Sequence, residues 1–108
     1  MTRCSLVLLL ALAPALPAFA QATIERGKVV YAEQKCGNCH SAAGVGNKKG
    51  ALDGFGVRNS AEDIGLWITN APEMSAKIKA ERKPPMKAYA TLPKGDVAAL
   101  VAYIQSLK

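Results

Sequence analysis

Two thiols and an imidazole fall within residues 36–40, which read Cys36-Gly37-Asn38-Cys39-His40. Thiolates pair into disulfides, attack electrophiles and bind soft metals, and an imidazole binds metals or moves protons. A disulfide between Cys36 and Cys39 would close a very short loop, stabilise little and leave His40 unexplained. A thioredoxin-like redox pair needs strands around it, and no alternating strand pattern of useful length is present. A structural zinc needs four ligands. The motif offers three, and His40 is the only histidine in the chain. The remaining chemistry is covalent attachment of haem, for which C-x-x-C-H is the signature. That spacing lets both sulfurs reach the two vinyl groups on one side of a porphyrin, while the adjacent histidine turns a nitrogen toward the iron.

The N-terminus bears on this choice, because c-type haem is attached after export. Arg3 is followed by an apolar run from Ser5 to Ala13, then Pro14, Pro17 and Ala18-Phe19-Ala20. A basic start, a short apolar stretch and an A-x-A end read as a secretory signal peptide over residues 1–20, cleaved after Ala20 or alternatively after Ala22. The apolar run is too short to span a bilayer of about 30 Å as a helix. No transmembrane segment is expected once it is removed, and the expected location is the periplasm. Cys4 leaves with the signal, so Cys36 and Cys39 are the cysteines that remain.

Length and composition narrow the class further. The chain has 108 residues and a formal charge of +6, with 14 Lys and Arg against 8 Asp and Glu. This is one domain, too short for separate cofactor and substrate domains. It contains no GxGxxG and no Walker loop. Aromatic residues are few, and a domain this small needs a disulfide, a metal or a cofactor to complete its core. A buried porphyrin would supply that apolar surface.

The elements that must position the motif are helical. Thr23 is a candidate cap for a helix from Ile24 or Glu25 toward Cys36. Gly27 is costly inside it, about 1 kcal/mol relative to Ala, which suggests that another backbone approaches closely. Five glycines make residues 41–60 a loop. Ser60, with Asp63 three residues on, caps a second helix over Ala61 to Asn70, ended by Pro72. Residues 73–80 read as a short irregular helix, and Pro84-Pro85 enforces extended backbone ahead of Met86. From Pro93 a last helix carries Val97, Leu100, Val101, Ile104 and Leu107 at helical spacing. The fold class is all-α.

With these residues in place, the chain over 23–108 resembles the small monohaem class I cytochromes c. Glu25-Arg26-Gly27 with Tyr31, ahead of C-x-x-C-H, is similar to the family's N-terminal helix, and Leu100-Val101-Ala102-Tyr103-Ile104 to its C-terminal helix. The resemblance implies a helical fold wrapped around one haem c, with residues 21–108 as the cytochrome domain. Cys36 and Cys39 would form its two thioethers, and His40 would be one axial ligand. It also implies that Gly27 meets an aromatic residue on the last helix. His/Met ligation is a recurring haem arrangement, and the family places its methionine in a Pro-flanked loop before the final helix. Met86, in Lys83-Pro84-Pro85-Met86-Lys87, matches that place and is the expected sixth ligand. Met74 is expected as packing, and Lys83 and Lys87 are competing ligands. In the family a proline carbonyl in Gly-Pro-x-Leu holds the histidine. The matching stretch is Gly50-Ala51-Leu52, with Ala51 in the proline's place. By the same resemblance Leu52 packs on the haem, Arg58 lies near its propionates and Trp67 walls the methionine side.

Cations cluster at Lys77, Lys79, Arg82, Lys83 and Lys87, with Lys48 and Lys49 in the glycine-rich loop. A positive field around a haem edge speeds encounter with acidic redox partners and is screened by salt. Nucleic-acid binding is not expected, because basic and aromatic residues are not interleaved. The expected function is a monomeric, soluble, exported single-electron carrier, not an enzyme. The alternatives are an electron-transfer subunit of a larger oxidoreductase complex, and a haem sensor or peroxidase-like protein with an open sixth site.

Overall fold

A computed structural model of the chain describes residues 17–108. The body of the expected signal peptide lies outside the described residues. The described chain is all-α apart from one minimal hairpin. Helix α1 runs Ala18–Glu33 and α2 Phe55–Arg58, followed by α3 Ala61–Thr69, α4 Ala71–Ile78 and α5 Lys94–Ser106. Two-residue strands β1 (Ser41–Ala42) and β2 (Val45–Gly46) pair antiparallel. Three-ten turns occupy Cys36–Asn38 and Lys48–Gly50. The stretch read as loop therefore contains the hairpin, a tight turn and the single turn of α2.

Local chemistry explains the boundaries. Helix α1 starts earlier than Thr23: Pro17, with φ near the value proline imposes, holds the N-cap position, and its carbonyl accepts from Gln21 N at 3.1 Å. Thr23 is not a cap; its hydroxyl donates back to the Phe19 carbonyl at 2.9 Å, inside the helix. At the other end Lys35 adopts a left-handed conformation (φ 56°), which stops α1 short of Cys36 and turns the chain into the motif. Ser60 caps α3 as expected, its hydroxyl accepting from Asp63 N at 3.1 Å. Pro72 opens α4 instead of ending α3. A proline lacks only an N–H that has no partner in a first helical turn, so residues 71–78 form a regular helix after a break at Asn70.

The frame is the crossing of α1 and α5. Gly27 is buried there, and a Cβ at that position would run into the Ala99 carbonyl and Tyr103 Cβ. Tyr31 and Tyr103 meet edge to face, with ring centroids 5.5 Å apart at 80°, an arrangement aromatic pairs favour. Arg26 forms a two-pronged pair with Asp96, both distances 3.1 Å, tying the same helices at the surface. Helices α2 and α3 also pack on α5. Val30, Ile64, Ile68, Leu100 and Ile104 make the buried core, with Leu52, Phe55, Tyr89 and Leu92 against it. This core is small, and one side of it faces a cavity.

Candidate cofactor site

The motif sits in a wound turn. After Lys35, the Cys39 and His40 amides both donate to the Cys36 carbonyl, at 3.1 and 2.9 Å. This winding brings Cys36, Cys39 and His40 to the wall of one cavity of about 690 Å³, within the range of about 300–1,000 Å³ typical of ligand sites. Cys36 and Cys39 form no disulfide with each other. Cys36 is half-buried, and burial above all pushes its thiol up.

His40 is anchored by one nitrogen. Its Nδ1 lies 2.9 Å from the Gly50 carbonyl. A carbonyl only accepts, so Nδ1 carries the proton and donates, and Nε2 keeps its lone pair for a metal. The acceptor corrects the expectation from Ala51 by one residue. The turn Lys48–Gly50 ends on Gly50 and directs that carbonyl to the ring. Burial, the largest cause, lowers the His40 pKa; the Gly50 hydrogen bond opposes this, and the Arg82 charge adds to it. A neutral imidazole is the form that binds a metal.

The shelf under His40 is laced together. Asn47 N donates to Gly37 O (3.1 Å) and His40 O (2.9 Å), and Leu52 N donates to Ser41 O (2.9 Å). Tyr31 donates to the His40 carbonyl at 3.4 Å. Leu52 and Trp67 border the cavity with Phe55, Ile64, Ile68 and Leu100. Pro84, Pro85 and Met86 border it from the segment between α4 and α5, whereas Met74 does not. Arg58 is exposed at the end of α2, its guanidinium lying over Gly54, and does not border the cavity. Arg82 does border it, and donates to the Cys39 carbonyl. Sequence reasoning took Arg82 for one cation of a surface cluster. Its placement depends on the return of the chain after α4, which no local signal marks.

The residues fit a covalently held haem. Two free thiols, a neutral imidazole with one nitrogen spare, a thioether and an apolar wall converge on a single cavity. Among the described residues no group of three or more His, Cys, Asp and Glu could hold a metal ion directly, which leaves the motif without a zinc site.

The family model described as Cytochrome c matches residues 24–108. The chain belongs to the cytochrome c family. It is a class I cytochrome c, an electron-transfer haem protein whose cofactor is covalently attached haem c. One similar protein is cytochrome c oxidase subunit 2 of Alkalihalophilus pseudofirmus (strain ATCC BAA-2126 / JCM 17055 / OF4), 30% identical over 92 residues. That match covers 77% of this chain and 25% of the relative. The cytochrome thus spans about a quarter of the length of the curated relative it matches. No solved structure matches it significantly. Among the described residues no helix is long and apolar enough to cross a membrane.

Proposed function

We propose that this cytochrome c is an exported, periplasmic, monomeric carrier that shuttles single electrons between redox proteins. Cys36 and Cys39 would hold one haem c through two thioethers, and His40 and Met86 would ligate its iron. Bound haem supplies a one-electron couple at its iron. The chain's own groups do the rest. Gly50 fixes the His40 ring, Leu52 and Trp67 exclude water, and the Pro84-Pro85 pair lowers the entropy lost in holding the Met86 thioether. With His40 and Met86 both on the iron, no place would be left there for a substrate, and little rearrangement would accompany electron transfer. The cations that border the cavity, Lys35, Arg82, Lys83 and Lys87, suit an acidic docking partner.

The observation that carries this reading is that Met86 borders the same cavity as His40 while Met74 does not. Its test is the weak ferric charge-transfer band of Met–iron ligation, near the red end of the spectrum, in two variants. Met86→Ala should abolish the band, lower the reduction potential and let carbon monoxide bind the ferrous form. Met74→Ala should leave all three unchanged. The reverse pattern would overturn the ligand assignment.

The similarity to an oxidase subunit favours a second reading, an electron-transfer part of a larger complex. Gentle extraction followed by size exclusion separates the two. The carrier elutes at the size of its own chain, and the subunit elutes with its assembly.

A further inference from the structure

The segment 81–88, which carries Met86, is almost free of hydrogen bonds. Behind it, Ala80 N donates to Ser75 O at 2.9 Å; ahead of it, Tyr89 N donates to Ile68 O at 2.9 Å. Between them, among the described residues, one hydrogen bond holds the segment: Arg82 Nη2 donates to the carbonyl of Cys39, 43 residues away in the chain. That carbonyl belongs to the residue before His40. The guanidinium that reaches it also occupies the space where a Cβ on Gly50 would stand, and the same Cβ would strike the Cys39 carbonyl. Gly50 does not have a positive φ, so its backbone conformation does not demand glycine. The demand for space does.

The carbonyl that holds the histidine comes from Gly50 itself. A proline at 50 would stiffen the histidine's support and would leave no room for the guanidinium.

We propose that Arg82 is a positioning residue, clasping the Met86 segment to the Cys39 carbonyl through the notch left by Gly50. The proposal rests on Met86 as sixth ligand. The clasp joins the two sides of the site directly: the motif that carries one axial ligand and the segment that carries the other. It sets how often the segment lifts from the iron. A guanidinium suits the task because its charge strengthens the bond and its planar fork fixes the approach, neither of which a neutral amide reproduces.

The test uses the haem-loaded protein with two readouts. One is the affinity of the ferric protein for added imidazole, which reports the fraction of molecules with Met86 off the iron. The other is the rate of tryptic cleavage after Lys87, which reports opening of the segment. Arg82→Gln should raise both by about tenfold or more, in keeping with the worth of a hydrogen bond from a charged donor, at an unchanged global unfolding midpoint. Arg82→Lys should restore part of each. Cleavage after Lys87 unchanged by Arg82→Gln, or imidazole affinity unchanged while Met86 ligates, would overturn the clasp. A wild type lacking the Met–iron band would defeat the ligand assignment, and the cleavage rates would still decide the clasp.

Discussion

At the residue scale, the chemistry of the site is carried by few atoms. In the proposed site two sulfurs bond the cofactor and one imidazole nitrogen ligates it, while the other nitrogen donates to Gly50 O. Replacing both Cys36 and Cys39 by Ala should leave no haem that resists acid extraction; acid-stable haem in that variant would contradict the attachment. The motif was legible in the sequence because its spacing is local and chemically specific. The support of His40 was legible only to within one residue, since which carbonyl faces the ring depends on the turn at Lys48–Gly50. The arginine at the cavity is Arg82, not Arg58. Both fall in stretches that read as irregular in the sequence, and what separates them is the path of the chain after α4.

At the element scale, the crossing of α1 and α5 was readable from a single costly glycine. Gly27→Ala gains about 1 kcal/mol of helix propensity. It also drives a Cβ into the Ala99 carbonyl, where only backbone can give way, and overpacking of this kind costs about 1–3 kcal/mol. The net result in denaturant unfolding should be destabilisation. Gly95→Ala, on the same α5 with nothing near its Cβ position, should instead gain about 0.4–1 kcal/mol. In the full chain α1 starts at Ala18, inside the stretch read as signal peptide, with Pro17 rather than Thr23 at its N-cap. The break between α3 and α4 was misread because a proline can close one helix or open the next, and the backbone at Asn70 decides which.

The Tyr31–Tyr103 contact gives the same crossing a pH dependence. Burial above all pushes the Tyr31 phenol up to about 12, from about 10 in an unfolded chain. Below pH 10 both states are protonated and stability is at its full value. Between pH 10 and 12 the unfolded chain ionises first, so stability falls as pH rises. Tyr31→Phe should flatten that fall, leaving the part due to Tyr89 and Tyr103, which burial also raises. At neutral pH it should cost little, since the bond it removes is long, at 3.4 Å. Unfolding midpoints at pH 7 and pH 11 check both statements.

At the scale of the whole molecule, the cations around the cavity set the encounter with a partner. Electron transfer to an acidic partner should slow as ionic strength rises, because attraction reaches only about 10 Å at 0.1 M salt. Stopped-flow rates that stay flat or rise with salt would count against an acidic dock. The small core and the cavity beside it belong together: the domain is short, and the haem completes its interior. Whether the molecule carries electrons or handles a ligand turns on the sixth position of the iron. The most direct measurement is a carbon monoxide titration of the ferrous wild-type protein, followed by absorption. A spectrum that stays that of a six-coordinate, low-spin haem, with no carbon monoxide adduct at saturating gas, is the result expected of a His40- and Met86-ligated carrier. Tight, rapid formation of the adduct would contradict it and point to a sensor or peroxidase-like protein with an open site.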